Sequence, residues 1–472
     1  MRGFLLSVFN ANGFNRYNLI MNTAVNIVDV IIETRWLLPI VPHETLLEQQ
    51  AVVIKDGVIV DVCAISIASQ RYQASEVVQL DEHVLMPGLV NLHTHAAMSL
   101  MRGLADDLPL MPWLHKHIWP AETQLVSPTF VRDGTLLACA EMLAGGITTF
   151  NDMYFYPQAA AEASMQAGMR VNLGLVVLEF SSNYARDAED YIDKGTKARD
   201  QLKQEPLISF SFAPHAPYTV SDATFTQINT LSDQLNISIH THLHETQAEI
   251  TQNEQAHGMR PMQRLANLGL LNSSTTLAHC VHLNDIEMKL LAEYGCSIAH
   301  CPSANLKLAS GIAPITECAK HGINIGLGTD GAASNNRLDL FTEMRLAALL
   351  AKGQSGDARA ISAHEALRMA TINGAKALGM DDKIGSIEVG KLADLTAVKL
   401  SDINMQPCFD VASHLVYVAG REQVSHVWVN GDLKYHKPNS SDAVYSSIEP
   451  QELSNIINKW QAKVAAFKVE SH

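Results

Sequence analysis

The sequence predicts an α/β protein whose main body is a (β/α)8 barrel of the TIM type, joined to a small β-sandwich domain formed by both chain ends. Three observations support this prediction. Eight apolar, β-like runs alternate with helical stretches over residues 84–383. Short β-rich runs with hairpin turns stand on both sides of that region. With 472 residues, the chain is also too long for one ordinary compact core.

The runs assigned to the barrel are mostly apolar throughout, which is typical of parallel strands covered on both faces. Helical stretches such as QAAAEASMQAG and LNDIEMKLLAEYG lie between them. Eight strand–helix units predict a closed barrel, in which chemistry takes place at the carboxyl ends of the strands. The predicted strands are VLMPGLVNLH, GITTFNDMYF, MRVNLGLVVLEF, LISFSFAPH, ISIHTHLHE, TTLAHC, CSIAHCPS and INIGLGTD.

The two segments that flank the barrel in sequence have the same pattern of short β-rich runs. From Val25 to His83, runs such as VNIVDVIIET and QAVVIKDGVIVDVCA are separated by polar turns, and DLTAVKL and HVWVNGDLKY resume this pattern later. The KDG and VNG turns divide alternating runs, as in hairpins. We therefore predict a composite β-sandwich of residues 21–83 and 384–440, a catalytic barrel at 84–383, and a helical tail at 441–472.

Residues 1–20 contain one short apolar stretch, FLLSVF, and two arginines. This stretch is too short for a secretory signal, and no A-x-A-like cleavage site follows it. We expect residues 1–20 to be a loosely held extension. No apolar run in the sequence is long enough to cross a bilayer. These features favour a cytoplasmic protein.

The composition excludes some classes of partner. The formal net charge of −15 argues against nucleic acid or an anionic membrane surface as the main partner. Seven cysteines at irregular spacing, without a CxxC pair, make a disulfide framework improbable and favour a reducing compartment. They are Cys63, Cys139, Cys280, Cys296, Cys301, Cys318 and Cys408.

Polar side chains able to bind a metal or move a proton stand at the ends of four predicted strands. Three neutral imidazoles and one carboxylate suit a borderline divalent ion such as zinc. A further carboxylate and imidazole provide the proton transfer that a metal-activated water requires. Together they predict a metal-dependent hydrolase. The six residues are His93, His95, His242, Glu245, His279 and Asp330.

Strand alternation leaves the choice of ligand open within HTHLHE, because it puts His240, His242 and His244 on one face. His242, followed by Glu245 three residues later, matches a ligand with a proton shuttle just past the strand end. His240 would then be a buried, hydrogen-bonded histidine, and His244 a supporting group.

Other positions also have two interpretations. His279 ends an apolar run, whereas His282 lies beyond the strand, so His279 is the preferred candidate. Asp330 could instead cap the following helix. Cys280 and Cys301 follow strand-end histidines and could be soft ligands, but a small buried hydrophobe is the favoured interpretation.

Several motifs together resemble the amidohydrolase superfamily, in particular its branch of nucleoside deaminases and triazine hydrolases. The resemblance covers the chain from about Val25 to Tyr435. It implies a hydrolase that uses one zinc ion per subunit, with iron as the alternative, in a homo-oligomer (a dimer or tetramer). It implies metal binding by His93, His95, His242 and Asp330, and catalysis by Glu245, His279 and Asp330. The motifs are PGLVNLHTHAAMSLMRG, HLHET, AHCVHL, HCPSANLKLASGIAP, GTDGAASNN and GSIEVGKLADL.

Two-metal members of this superfamily use a carbamylated lysine at the end of the fourth barrel strand. This chain has His215 there, in FSFAPHAPY. The difference favours a single metal ion and assigns His215 to substrate binding, with a hydrogen-bonded structural histidine as the alternative.

The segment LPLMPWLHKHIWPAE resembles the substrate loop of the nucleoside deaminases. By that resemblance, Trp113 would cover an adenine nucleoside and its 5′-thio group, and Glu122 would accept hydrogen bonds from the ribose hydroxyls. A packed aromatic and a carboxylate at a helix N-terminus are the alternatives. Arg186 would meet the carboxylate of a homocysteine group, although its local motif is poor.

The resemblance leaves a rival activity on the same scaffold, the hydrolysis of a triazine or a related amino-heterocycle. Glu245 favours deamination, because triazine chlorohydrolases of this branch often lack that carboxylate. A free-base deaminase is disfavoured by Trp113 and Glu122, which suit a substrate with a ribose. A non-catalytic scaffold would lose metal ligands, and none of the expected ones is missing here.

Overall fold

A computed structural model describes residues 25–438 and 442–470. The predicted extension, residues 1–20, lies outside the described residues. The described chain forms two eight-stranded sheets. Its strands are β1 (Asn26–Leu37), β2 (Leu47–Lys55), β3 (Val58–Ala64), β4 (Tyr72–Pro87), β5 (Leu89–Thr94), β6 (Ile147–Tyr154), β7 (Arg170–Val177), β8 (Ile208–Pro214), β9 (Ser238–Leu243), β10 (Thr275–His279), β11 (Ser297–His300), β12 (Asn324–Leu327), β13 (Leu395–Lys399), β14 (Val424–Val429), β15 (Asp432–His436) and β16 (Val444–Tyr445).

Helices cover the barrel and connect its strands. A π-helical segment, Leu114–Ile118, joins α2 to α3, so that residues 110–125 form one nearly continuous helical loop above the barrel. The helices are α1 (Ile65–Arg71), α2 (Leu110–Trp113), α3 (Trp119–Leu125), α4 (Pro128–Ala144), α5 (Pro157–Ala167), α6 (Ala188–Leu202), α7 (Asp222–Leu235), α8 (Gln247–His257), α9 (Pro261–Asn267), α10 (Asp285–Tyr294), α11 (Pro302–Lys307), α12 (Ile315–Lys320), α13 (Leu340–Ser355), α14 (Ala363–Met369), α15 (Ile372–Ala377), α16 (Val411–Tyr417) and α17 (Pro450–Glu470).

Strands β5 to β12 form the barrel predicted from the sequence. Each pairs in parallel with the next strand along the chain. Strands β5, β6 and β7 are buried at every position, as expected where helices cover the outside and side chains fill the inside. The first and last strands meet through the Asp330 N–H, which donates to the His93 carbonyl at 2.9 Å. The predicted fold class is thus confirmed.

The two chain ends build the second sheet together. Strand β4 pairs in parallel with β1 and antiparallel with β13, which joins the N-terminal strands to the C-terminal ones. Ile32, Val52, Leu85 and Trp428 from both flanks share one buried cluster. The domain boundaries given above stay a prediction, although both flanks contribute strands to this sheet.

The second sheet is fixed firmly to the barrel. Only Gly88 separates β4 from β5, and a Cβ atom at this glycine would lie 2.2 Å from Thr148 Oγ1, so no side chain fits there. The buried Arg170 guanidinium at the start of β7 donates twice to the Asp394 carboxylate, at 2.9 and 3.1 Å. Such a bidentate contact constrains orientation as well as distance.

Helix α17 lies within the predicted helical tail and packs on the barrel. Its Lys459 ammonium and Trp460 indole N–H both donate to Asp133 Oδ2 on α4, at 2.7 and 2.8 Å. Among the described residues, no helix is both long and apolar enough to span a membrane.

Candidate metal and substrate site

The predicted strand-end side chains converge at one mouth of the barrel. His93 and His95 stand at the end of β5, His242 on β9, His279 at the end of β10, and Asp330 three residues after β12. They meet because parallel strands bring their carboxyl ends to the same edge. Gly328 allows this close approach, since a Cβ atom there would lie 2.8 Å from the Cβ atom of His93.

Two overlapping triplets of possible metal ligands share His93. One consists of His93, His242 and His279, and the other of His93, His95 and Asp330, with the ligand atoms of each triplet within 4.8 Å of one another. Asp330 Oδ1 lies 3.3 Å from His93 Nε2 and 3.2 Å from His95 Nε2. Because the triplets share a residue, one ion could contact side chains of both.

The rings of this cluster are oriented by contacts at their other nitrogen. His95 Nδ1 donates to the Met153 carbonyl at 2.7 Å, and His242 Nδ1 donates to the His215 carbonyl at 2.6 Å. A carbonyl can only accept a hydrogen bond, so in the neutral rings Nε2 carries the lone pair that a metal needs. His93 Nδ1 and His279 Nδ1 contact His240 Nε2 and Asn305 Oδ1, at 2.9 and 2.8 Å.

Burial and charge set the protonation of the cluster. Burial lowers the pKa of His93 to about 4 and that of His242 well below its ordinary value, so these rings stay neutral. Burial also opposes a charge on His95, but the hydrogen bond and charge of Asp330 raise the pKa of His95 to about 9. Although burial favours the neutral acid, the close approach of the His93 and His95 imidazoles holds the pKa of Asp330 well below its ordinary range.

Several residues at this mouth have a left-handed backbone that non-glycine residues rarely adopt. The φ angles are 71° at His279, 58° at Asp330 and 54° at His244. Such conformations cost roughly 1–3 kcal/mol each and persist only where the surroundings enforce them. Their concentration at the strand ends is typical of functional sites.

Glu245 stands at the edge of the cluster. Its Oε2 atom lies 3.9 Å from His279 Nε2, and Ser310 Oγ donates to its Oε1 atom at 3.3 Å. Burial raises the pKa of the Glu245 carboxyl above its ordinary value. A raised pKa favours the protonated carboxyl, which is the form that can act as a general acid.

The backbone that carries Glu245 is fixed by a second carboxylate, Glu249. The N–H groups of His244 and Glu245 donate to Glu249 Oε1 and Oε2, both at 2.9 Å. Glu249 is buried, and burial raises its pKa to about 7. Thr246 caps the helix that begins here by accepting from the Glu249 N–H.

The competing histidines lie outside the cluster. His240 lies beneath His93, and His244 Nε2 accepts from the Met262 N–H at 3.2 Å. His282 Nε2 contacts the Ser310 carbonyl at 2.8 Å instead of facing the other imidazoles. Both Cys280 and Cys301 are buried free thiols, and neither belongs to the ligand groups found among the described residues.

Above the cluster lies a cavity that opens to solvent. Trp113, Glu122 and His215 line it, together with the cluster itself. Tyr154 OH donates to Glu122 Oε1 at 2.8 Å, and burial raises the pKa of Glu122 to about 7. The indole N–H of Trp113 already donates to the Ala105 carbonyl, which leaves the ring face for a ligand.

His215 and Arg186 differ in placement. The His215 ring lies 4.8 Å from that of His242, and its Nδ1 atom is 3.1 Å from Thr219 Oγ1. Burial lowers the pKa of His215 to about 3. The Arg186 side chain is instead 83% exposed, contacts Asp190 at 3.3 Å, and is not among the residues that line the cavity.

Sequence reasoning missed Tyr154, Asn305, Ser310 and Glu249. Asn305 and Ser310 lie within the quoted motif HCPSANLKLASGIAP, but nothing in their spacing links them to His279 or Glu245. Glu249 carried a local signal, because Thr246 and Glu249 have the spacing of a capping box. Its carboxylate reaches past the cap residue to the two preceding N–H groups.

Comparisons with known proteins agree with this geometry. The model of the amidohydrolase family matches residues 84–434. A 5-methylthioadenosine/S-adenosylhomocysteine deaminase of Saccharophagus degradans is 45% identical over 93% of this chain and 97% of its own length. A protein of the same name from Teredinibacter turnerae is 44% identical over 94% of this chain and 99% of its own length.

A solved structure, that of an adenosine deaminase from Xanthomonas campestris with bound zinc, superposes with a TM-score of 0.91. It is 44% identical in sequence, and the alignment covers 94% of this chain and all of that one. The family model spans the whole barrel, and the two bacterial relatives align with 93% and 94% of this chain. This chain therefore belongs to the amidohydrolase family.

Proposed function

We propose that this chain catalyses the hydrolytic removal of the amino group from the adenine ring of 5′-methylthioadenosine, S-adenosylhomocysteine or both. The products are ammonia and the corresponding inosyl compound. One observation carries the proposal: a buried carboxyl, Glu245, lies 3.9 Å from His279 beside a cluster of metal-binding side chains on a cavity floor. The names of the two bacterial relatives supply the substrate class.

The side chains present fit a single divalent metal ion such as zinc. Within the described part of the chain, His93 Nε2 is buried without a hydrogen-bond partner, as expected for an atom whose partner is a cation. His93, His95, His242 and Asp330 would hold the ion. Imidazole and carboxylate donors suit zinc, and the zinc in the Xanthomonas structure supports the same choice here. When bound, zinc acts as a Lewis acid and lowers the pKa of water bound to it.

The residues of the chain then move the protons. Asp330 takes a proton from the water that attacks the amino-bearing ring carbon, and His279 holds that water. Glu245 delivers a proton to the neighbouring ring nitrogen, which makes the carbon more electrophilic. The proton on Asp330 passes to the amino group, the carbon–nitrogen bond breaks, and ammonia leaves. The remaining proton of the added hydroxyl returns to Glu245, which forms the carbonyl of the product and restores both carboxyl groups to their starting protonation. Atoms balance, because one water is consumed for each ammonia released.

The walls of the cavity orient the nucleoside. Glu122 would accept hydrogen bonds from the ribose hydroxyls, because its second oxygen is free of the Tyr154 contact. Trp113 would cover the sugar with its ring face. His215 lies beside His242 and would contact the purine ring. The Arg186 side chain is exposed and contacts Asp190, so its contact with the substrate stays a prediction that this arrangement does not use.

The test is an ammonia-release screen with the zinc-loaded protein over adenine nucleosides, free purine and pyrimidine bases, and amino- or chloro-triazines. We expect turnover of adenine nucleosides with 5′-thio substituents. Release of chloride or alkylamine from triazines, without nucleoside turnover, would establish the rival activity on this scaffold and overturn the proposal.

We also propose that the enzyme works in the cytoplasm as a homo-oligomer. The seven cysteines are free thiols, which suits a reducing compartment. The resemblance to other amidohydrolases supports a dimer or tetramer. Light scattering on the purified chain measures the assembly directly, and a monomer at micromolar concentration would contradict this part of the proposal.

A further inference from the structure

We propose that the cavity selects adenine nucleosides with an apolar, uncharged 5′ substituent and discriminates against the zwitterionic homocysteinyl group. This inference rests on the deaminase function proposed above and narrows its substrate class. It starts from the lining of the cavity, which includes no lysine or arginine among the described residues.

The charged end of the cavity is its floor. Glu245 and Asp330 lie there beside the imidazoles, and Glu122 stands on the wall. If the purine lies over the floor and the ribose lies at Glu122, the 5′ substituent contacts the rest of the cavity lining. That lining is dominated by large apolar side chains of the 110–125 loop and of the segment after β7. They include Leu110, Leu114, Ile118, Trp119, Leu178 and Phe180.

The polar groups of this part are mostly committed to other contacts. Asn183 donates to the Thr123 and Val126 carbonyls, at 2.8 and 3.0 Å. Ser182 Oγ accepts from Tyr191 OH at 2.6 Å and from the Tyr184 N–H at 3.0 Å. The Tyr184 hydroxyl is buried and has no hydrogen-bond partner among the residues that the structure describes, so it can donate a hydrogen bond to a ligand but cannot neutralise a carboxylate.

Two cations in the neighbouring part of the chain, Arg186 on the loop after β7 and Lys194 on α6, are engaged elsewhere. Arg186 and Lys194 both contact Asp190, at 3.3 and 3.0 Å, and Lys194 also donates to the Tyr184 carbonyl at 2.7 Å. A homocysteinyl carboxylate in the cavity would therefore lose hydration without gaining a cationic partner. Burying a charge in this way is costly.

An alkylthio group, in contrast, matches the same walls. Trp119 and Phe180 lie with their ring centroids 5.5 Å apart, and Phe180 is 42% exposed, so apolar surface is available at the rim. Burial of a methyl or butyl group there is favourable, and a thioether sulfur packs well against aromatic ring edges. The lining thus supplies apolar contact without a charge.

The experiment compares kcat/KM for four nucleosides with the zinc-loaded full chain. They are 5′-methylthioadenosine, 5′-butylthioadenosine, S-adenosylhomocysteine and its decarboxylated analogue, which keeps the amine. The butyl compound matches the homocysteinyl chain in length but carries no charge. We expect the methyl and butyl compounds to agree within a few-fold, and S-adenosylhomocysteine to be slower by on the order of 10- to 100-fold. Removing the carboxylate should recover part of that loss.

Two results would overturn the inference. Equal kcat/KM for S-adenosylhomocysteine and 5′-methylthioadenosine would show that the cavity tolerates the zwitterion. An equal loss for the butyl compound would assign the discrimination to length instead of charge. Absence of ammonia release from all four compounds would instead refute the deaminase function, so the two failures are distinguishable.

Discussion

Two carboxyl groups, one on the floor and one on the wall of the cavity, have pKa values that are shifted in opposite directions. On the floor, Asp330 Oδ1 lies 3.3 Å from His93 Nε2 and 3.2 Å from His95 Nε2, and the nearby imidazoles keep the pKa of Asp330 well below the ordinary range. On the wall, Glu122 is half-buried with a single neutral side-chain donor, Tyr154, and desolvation raises its pKa to about 7. A nearby cationic imidazole favours the charged carboxylate, whereas desolvation alone favours the neutral acid.

This contrast separates two tasks. The floor is made of strand ends whose rings are fixed by backbone carbonyls, which suits a metal site that must keep its geometry. The wall is made of loop helices whose side chains contact one another, which suits a surface that receives substrate. Changes on the floor should therefore remove metal and chemistry, and changes on the wall should alter binding.

The broadest effect is expected for Asp330→Asn, which should cost both metal and turnover. An amide cannot provide an anionic ligand, so metal affinity should fall by at least about 10- to 100-fold, the loss known for outer partners of metal ligands. Deamination should fall with it. Ser334→Ala, which removes only the hydroxyl that donates to Asp330 Oδ2 at 2.6 Å, should lose less. Metal analysis and ammonia release should be measured for both variants. A fully active Asp330→Asn enzyme would contradict the assignment of Asp330 to the metal site.

Glu245→Gln should abolish turnover without loss of metal. Glutamine keeps the shape of the side chain but cannot deliver the ring proton, so kcat should fall roughly 100- to 10,000-fold. Metal content measured on the same sample separates this effect from that of Asp330→Asn. Near-normal deamination by the variant would show that another group supplies the proton.

Glu249→Gln tests whether the backbone under Glu245 needs an anionic acceptor. The amide would place an N–H group against one of the two donors, so Glu245 should shift and kcat should fall about 10- to 100-fold, with little change in KM. Glu254→Gln is the matched control, because Glu254 is exposed on the same helix, α8. Equal kcat values for the two variants would remove Glu249 from the site.

The wall should respond to pH. Below about pH 7, Glu122 takes up a proton and loses acceptor capacity, so the deaminated nucleoside product should bind more weakly as the pH falls. The Tyr154 hydrogen bond lowers the pKa of Glu122, hence Tyr154→Phe should move this inflection to higher pH. Calorimetric titration of the enzyme with the deaminated product, repeated over a range of pH, measures this inflection. An unchanged inflection in Glu122→Gln would assign the titration to another group.

The smallest effect is expected at Arg186. Its exposed side chain contacts only Asp190, and surface ion pairs contribute little, so Arg186→Ala should keep kcat/KM within about twofold for every nucleoside. A selective loss of activity on S-adenosylhomocysteine would show instead that Arg186 reaches the substrate in the complex, and would weaken the inferred preference for uncharged substituents.

The sequence allowed the positions of side chains to be predicted where a short pattern identifies the end of a strand. His93, His95, His242 and Asp330 end apolar strands, and the barrel brings all such ends to one mouth. Sequence reasoning failed where a contact depends on packing between distant elements. Tyr154 meets Glu122 only because α3 lies over the end of β6, and Ser310 meets Glu245 across 65 residues of chain. Arg186 stands in a loop without periodicity, so nothing in the sequence fixed its direction.

The central claim is that one cation binds among four side chains from three strand ends. The most direct test is anomalous X-ray diffraction from crystals of the zinc-loaded protein, measured on both sides of the zinc absorption edge. We predict one peak per chain, about 2.0–2.2 Å from ligand atoms of His93, His95, His242 and Asp330. An active enzyme with no zinc at this position, or with its only zinc elsewhere, would contradict the claim.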